Sequence, residues 1–149
     1  MDMNNFQRIG SVSNARVGNE FAALVQNSFS DLGIVLIRDF AVPVGATTPK
    51  KLRKFDLGCE PDALLVECKS HTCTAGGNTP SAKMTVWNES MYCFYVAPEK
   101  YSKVFFALKV GRTGITLASY HVANYCHLIP DGVEIWEYDF AADAVARLQ

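Results

Sequence analysis

Asp56, Glu67 and Lys69 are the residues of this 149-residue chain whose types and spacing could do chemistry together. Glu67 and Lys69 are two apart in Leu64-Leu-Val-Glu-Cys-Lys69, so in an extended strand they share a face while Val66 and Cys68 take the other. Glu60-Pro61-Asp62-Ala63 has the composition of a tight turn, with Pro61 at its second position supplying a fixed φ. Counting outward from that turn pairs Cys59 with Leu64 and, further out, Asp56 with Glu67, at a Cα spacing of about 4.5–5.5 Å. Like charges directly opposite one another are unfavourable in a sheet, and a divalent cation between them would remove the conflict. Carboxylate oxygens are hard ligands that suit Mg²⁺ or Mn²⁺. Such an ion activates water and offsets charge that builds on a phosphodiester, while Lys69 could position or deprotonate the water or neutralise the phosphate. The chemistry implied is metal-assisted hydrolysis.

The flanking sequence must supply the elements that hold this trio. From Ser13 the residues Val17, Phe21, Leu24, Val25, Ser28, Phe29 and Leu32 recur at helical steps, with Ser13 or Asn14 as N-cap and Gly33 just past the end. Residues 1–12 show no periodicity and read as a loosely held arm. Glu20 lies one turn after Val17 and one before Leu24, so it either reaches solvent at the helix edge, paired with a base such as Arg16, or aims inward at positive charge. Ile34–Val42 is rich in branched residues and reads as a strand broken by Pro43, Gly45 and Pro49. Thr79 and Pro80 open a second helix whose apolar face is Met84, Trp87, Met91, Phe94 and Tyr95. Lys103–Val110 reads as a strand covered on both faces, Gly111–Gly114 as a turn, and Leu117–Ile129 as a helix packing Leu117, Tyr120, Val122, Tyr125 and Leu128. Val133–Tyr138 alternates like a strand with one exposed face, and Phe140–Leu148 reads as a short terminal helix. The expectation is a single α/β domain with a central mixed sheet flanked by helices.

With Asp56, ten intervening residues and Glu67-Cys68-Lys69, the chain resembles the PD-(D/E)xK nucleases. The phrases Lys54-Phe-Asp-Leu-Gly58 and Leu64-Leu-Val-Glu-Cys-Lys-Ser70 are similar to those of archaeal Holliday-junction resolvases and several restriction endonucleases. The resemblance covers roughly residues 13–110 and implies a restriction-endonuclease-like core, with Mg²⁺-dependent phosphodiester hydrolysis in DNA that leaves a 5′-phosphate. It implies Asp56 and Glu67 as metal ligands, Lys69 as the third catalytic residue, and Glu20, at the position of an acidic residue on the family's first helix, as a further metal contact. The family's literal Pro-Asp, here Pro61-Asp62, falls in the turn only five residues before Glu67, so Asp62 is the weaker substitute for Asp56.

Elsewhere the chain offers partners for a polyanion. Lys50, Lys51, Arg53 and Lys54 form a basic run that could face a phosphate backbone or be a solvated loop flank; His71, Lys83 and Asn88 are candidate contacts around the site. Residues 131–149 hold five acids and one base, which leaves the rest of the chain net positive although the whole carries −1. His121 and His127 read as structural, Trp87 and Trp136 as core or interface anchors, and Cys68 as a core-facing thiol. Five cysteines without a CxxC pair suggest reduced thiols rather than zinc ligands. No signal pattern or long apolar run is present, from which a cytoplasmic protein without a membrane span is expected. One site cuts one strand, so cutting both would call for a homodimer. A fold that binds nucleic acid or serves assembly without catalysis is the alternative.

Overall fold

A computed structural model describes residues 3–71, 81–112 and 114–149, with side chains from residue 16 onward except that of Arg112. The first helix, α1 (Met3–Asp31), starts ten residues before the expected cap, so Ser13 and Asn14 lie inside it. No proline interrupts this segment, and adding turns to a helix already nucleated is inexpensive. Its buried face is Phe21, Ala22, Val25 and Phe29, whereas Leu32 is exposed beyond the last turn. Gly33 adopts φ +83°, and the bonds Gly33 N–H to Ser30 O (2.9 Å) and Ile34 N–H to Phe29 O (3.0 Å) close the C-terminus as a Schellman motif.

Strand β1 (Ile37–Val44) runs through Pro43 rather than stopping before it. It is an edge strand, where a missing N–H can face outward. β2 (Lys51–Cys59) begins at the basic run, which is therefore strand and not loop. β3 (Leu64–Lys69) follows, then α2 (Ser81–Tyr95), β4 (Ser102–Leu108), a small hairpin of β5 (Gly111–Arg112) and β6 (Ile115–Thr116), α3 (Leu117–Tyr125), a 3₁₀ turn (Cys126–Leu128), β7 (Val133–Asp139) and β8 (Ala144–Arg147). Thr79 and Pro80, expected to open α2, lie outside the described residues.

Six strands form one mixed sheet in the order β1-β2-β3-β4-β7-β8, with β3, β4 and β7 parallel and the outer pairings antiparallel. The parallel steps cross over through α2 and α3, and right-handed crossovers advancing in one direction place both helices on one face. That face buries Phe55, Leu65, Phe105, Ala107 and Ile135 against Met84, Trp87, Met91 and Phe94 of α2 and Leu117 and Ala118 of α3. α1 covers the other face, packing Phe21, Val25 and Phe29 on Leu57, Val66, Val104 and Phe106. β4 is thus buried on both sides, as its apolar run suggests. β7 lacks the expected exposed face, because Phe29 of α1 stacks on Trp136 at 5.5 Å. Tyr95 and Leu128, expected in the core, are exposed.

The terminal segment is not a helix. Aspartate turn chemistry governs it instead: Asp139 Oδ1 accepts from Ala141 N (2.9 Å) and Ala142 N (3.3 Å), and Tyr138 Oη donates to Asp143, so the chain reverses into β8. Alanine content favours a helix here, but an aspartate that ties up the first amides starts a turn.

β1 and β2 pack through one glycine. A Cβ at Gly58 would lie 2.5 Å from Phe40 Cδ1 and 2.9 Å from Phe40 Cβ. Gly58→Ala is therefore expected to lower stability by about 1–3 kcal/mol through overpacking, read as a lower urea midpoint.

Candidate active site

The site is built on the β2–β3 hairpin. Ala63 N–H donates to Glu60 O at 2.9 Å to close its turn, and Ser102 N–H donates to Ala63 O at 2.7 Å, tying the turn to the start of β4. Lys100 Nζ (3.0 Å) and the Tyr101 hydroxyl both donate to Glu60, and the two bonds, that of Tyr101 first, hold its carboxyl below the usual range. The register is the one counted from the turn: Cys59 opposite Leu64, Gly58 opposite Leu65, Leu57 opposite Val66. The paired residues end there, and the next step out brings Asp56 against Glu67. Asp56 Oδ2 accepts from the backbone N–H of Cys68 at 2.8 Å, so a side chain replaces a strand carbonyl.

Strand alternation slips at this aspartate. Phe55 faces α2 and Leu57 faces α1, although they are two apart. On β1 the facing residue Asp39 drops out of the pairing and takes φ +54°. The slip is consequential, because it brings Arg53 and Asp56, which strict alternation would put on opposite faces, to the same carboxylate.

That carboxylate is Glu67, whose side chain is 3% exposed. Arg53 Nη2 donates to its Oε1 at 2.9 Å, and Lys69 Nζ approaches its Oε2 at 3.5 Å. Burial, and then the charge of Asp56, push the Glu67 carboxyl up to about 7; Lys69 and Arg53 pull in the opposite direction, and a hydrogen bond with Asp56 adds to the rise. Cys68 is pushed up by burial and the neighbouring carboxylates, consistent with an unreactive thiol.

Other candidates are placed differently. His71 accepts from Trp87 Nε1 at 2.8 Å through Nδ1, and burial with the charges of Lys83 and Lys69 lowers it to about 4, so it is a neutral imidazole near two ammonium groups. Asn88 is half-buried and its Oδ1 bonds His121 Nε2 at 2.8 Å, so it is committed to the interior rather than to the surface. His121 is fully buried between Phe105 and Tyr125, lowered to about 4 by burial. Its place is foreshadowed only by its four-residue step from Leu117. Lys51, Lys54 and Lys83 are exposed, and Lys50 Nζ donates to Gly45 O at 3.0 Å. Glu20 is exposed and paired with Arg16 at 2.9 Å. α1 does come near the end of β3, since a Cβ on Gly18 would sit 3.8 Å from Ser70 Oγ, and near β1, where Asn19 Oδ1 accepts from Arg38. Asp62 stays in the turn, beside Cys59. The structure therefore brings together Asp56, Glu67, Lys69 and Arg53, and leaves Glu20 and Asp62 apart from them.

Comparison with family models, curated proteins and solved structures gave no match to the chain. The chemistry rests on the geometry. Among the described residues no group of three or more His, Cys, Asp or Glu converges on one point. The donor set is the pair Asp56 and Glu67, and it fits a hard divalent ion that takes one or two protein carboxylates and completes its shell with water and phosphate oxygens. Burial first, and the charge of Asp56 second, raise the Glu67 carboxyl, and positive charge placed between the two carboxylates would relieve the second of these. Among the described residues no helix is long and apolar enough to cross a membrane.

Proposed function

We propose that this chain is a Mg²⁺- or Mn²⁺-dependent nuclease of PD-(D/E)xK type, with a restriction-endonuclease-like core, that hydrolyses phosphodiester bonds in DNA. The observation that carries the reading is the side-chain approach of Asp56 to Glu67 one step beyond the last hairpin pair, Leu57–Val66, with Lys69 Nζ at 3.5 Å from the same Glu67 carboxylate. Asp56 and Glu67 would hold the ion, which when bound supplies a Lewis acid for the phosphoryl oxygen and lowers the pKa of a coordinated water. Lys69, 14% exposed, lies where it can orient the attacking water or take its proton. Asp56 is itself oriented by the Cys68 amide, and the β-sheet fixes all three side chains with little freedom. Lys51 and Lys54 on β2, with Lys83 at the start of α2, supply exposed positive charge for a phosphate backbone. Two-strand cleavage requires two copies, and Tyr92 and Tyr95 on the outer side of α2 offer exposed aromatic surface for such a contact.

The test is incubation of linear, supercoiled and four-way-junction DNA with Mg²⁺, Mn²⁺ or EDTA. Wild type is expected to cleave only with metal, and Asp56→Ala and Lys69→Ala to lose at least about 100-fold in rate. Cleavage that survives both substitutions refutes the site. A second reading, a catalytically silent nucleic-acid-binding or assembly protein, is favoured by one observation: both oxygens of Glu67 already face cationic side chains, Arg53 and Lys69. Binding of DNA without cleavage on any substrate would establish it.

A further inference from the structure

Arg53 has a place in the site that its position in a basic run does not suggest. Its guanidinium turns inward to Glu67 Oε1 at 2.9 Å and lies over the Phe55 ring at 5.2 Å from the centroid. It also comes close enough to α2 to lower the Cys93 thiol, which burial raises. A structural arginine bound to a carboxylate usually presents its fork, with two parallel N–H···O bonds. Here one Nη makes the contact, while the buried Nε has no hydrogen-bond partner. A buried N–H left without an acceptor costs free energy and marks a side chain held by charge rather than by fit. What holds it is the negative charge of the Asp56–Glu67 pair.

We infer that Arg53 is a built-in counter-cation, standing against Glu67 until a divalent ion displaces it and frees the guanidinium for a phosphate oxygen. The inference rests on the reading that Asp56 and Glu67 hold a divalent ion. The geometry supports a swap rather than a permanent plug, because the contact is single, the side chain is 28% exposed and exposed Lys51 and Lys54 flank it on the same strand. Arg53 is then a positioning residue with two partners in succession: a carboxylate before the metal arrives and the substrate after.

The experiment is Mn²⁺ binding followed by electron paramagnetic resonance at pH 8.5 without DNA, on wild type, Arg53→Gln and Arg53→Lys. Arg53→Gln is expected to bind Mn²⁺ roughly tenfold more tightly than wild type, with Arg53→Lys between them, the scale by which neighbours of metal ligands usually alter affinity. Equal or weaker binding by Arg53→Gln overturns the inference while leaving the metal reading intact. No binding by any of the three overturns the metal reading itself. A second measurement needs no variant: phenylglyoxal labelling of Arg53 in wild type, read by peptide mass spectrometry, should accelerate severalfold when Mn²⁺ is added. An unchanged rate at saturating Mn²⁺ means that Arg53 stays on Glu67 and the swap does not occur.

Discussion

Glu67→Gln is expected to lose cleavage by at least about a thousandfold and yet to be the more stable protein at pH 8. Glu67 is buried, and burial together with Asp56 raises its carboxyl from 4.5 to about 7. Between those values the folded state holds a proton that the unfolded chain has released. Stability therefore falls as pH rises from about 4.5 to about 7 and is level above. The charge costs on the order of 3 kcal/mol at pH 8, and glutamine, which mimics the protonated acid, avoids it. Urea titrations of both proteins should agree near pH 4.5 and diverge by pH 8, with the Glu67→Gln variant ahead. Added Mg²⁺ should narrow the gap by stabilising wild type alone, because only the carboxylate pair gains from the ion. A Glu67→Gln protein less stable than wild type at pH 8 would mean that the ion pairs of Glu67 with Arg53 and Lys69 outweigh the cost of burial.

The second large effect comes from His121 and has the opposite sign. Burial lowers His121 from 6.5 to about 4, so the folded state keeps it neutral where the unfolded chain takes up a proton. Its contribution is complete above pH 6.5 and is lost as pH falls toward 4, up to about 3 kcal/mol. His71, lowered by burial and by Lys83 and Lys69, acts in the same direction, reduced by its partial exposure. Between pH 4.5 and 6.5 the histidines and Glu67 oppose one another, which flattens the wild-type profile. His121→Phe should remove part of the acid loss, so its urea midpoint falls less than that of wild type between pH 6.5 and 4. It should also start lower at pH 7, because Asn88 loses the partner at 2.8 Å that its Oδ1 now has. An unaltered slope would mean that His121 is protonated within the fold.

The local parts of this structure are legible in the residues. A turn composition at Glu60–Ala63 and period-two spacing give the hairpin register by counting, and Gly33 and Phe21-Val25-Phe29 give the end and the buried face of α1. What escapes depends on context. Pro43 reads as a stop because the sequence does not say which strand lies at the edge. The segment after Asp139 reads as helical because alanine favours helices, but the carboxylate captures two amides and turns the chain. Arg53 reads as part of a basic run facing phosphate or solvent because its neighbours are lysines, and the break in alternation at Asp56 is what brings it to Glu67. Resemblance draws Glu20 toward the site, while the structure leaves it in an ion pair with Arg16 on the surface.

The tie between Ser102 and Ala63 has a kinetic consequence. The hairpin that brings the carboxylates together closes a four-residue turn, whereas α2 and β4 follow it in sequence and must fold back onto it before the face that carries Glu67 is buried. Hairpins form in microseconds, so Asp56 and Glu67 meet early, while water still screens their charges. Docking of α2 and β4 removes that water late, and the cost of burying the charge then falls on the last part of folding. In chevron terms, neutralising Glu67 should slow unfolding more than it speeds the formation of the hairpin. The residues proposed to cut DNA would thereby set how long the fold persists rather than how soon it begins.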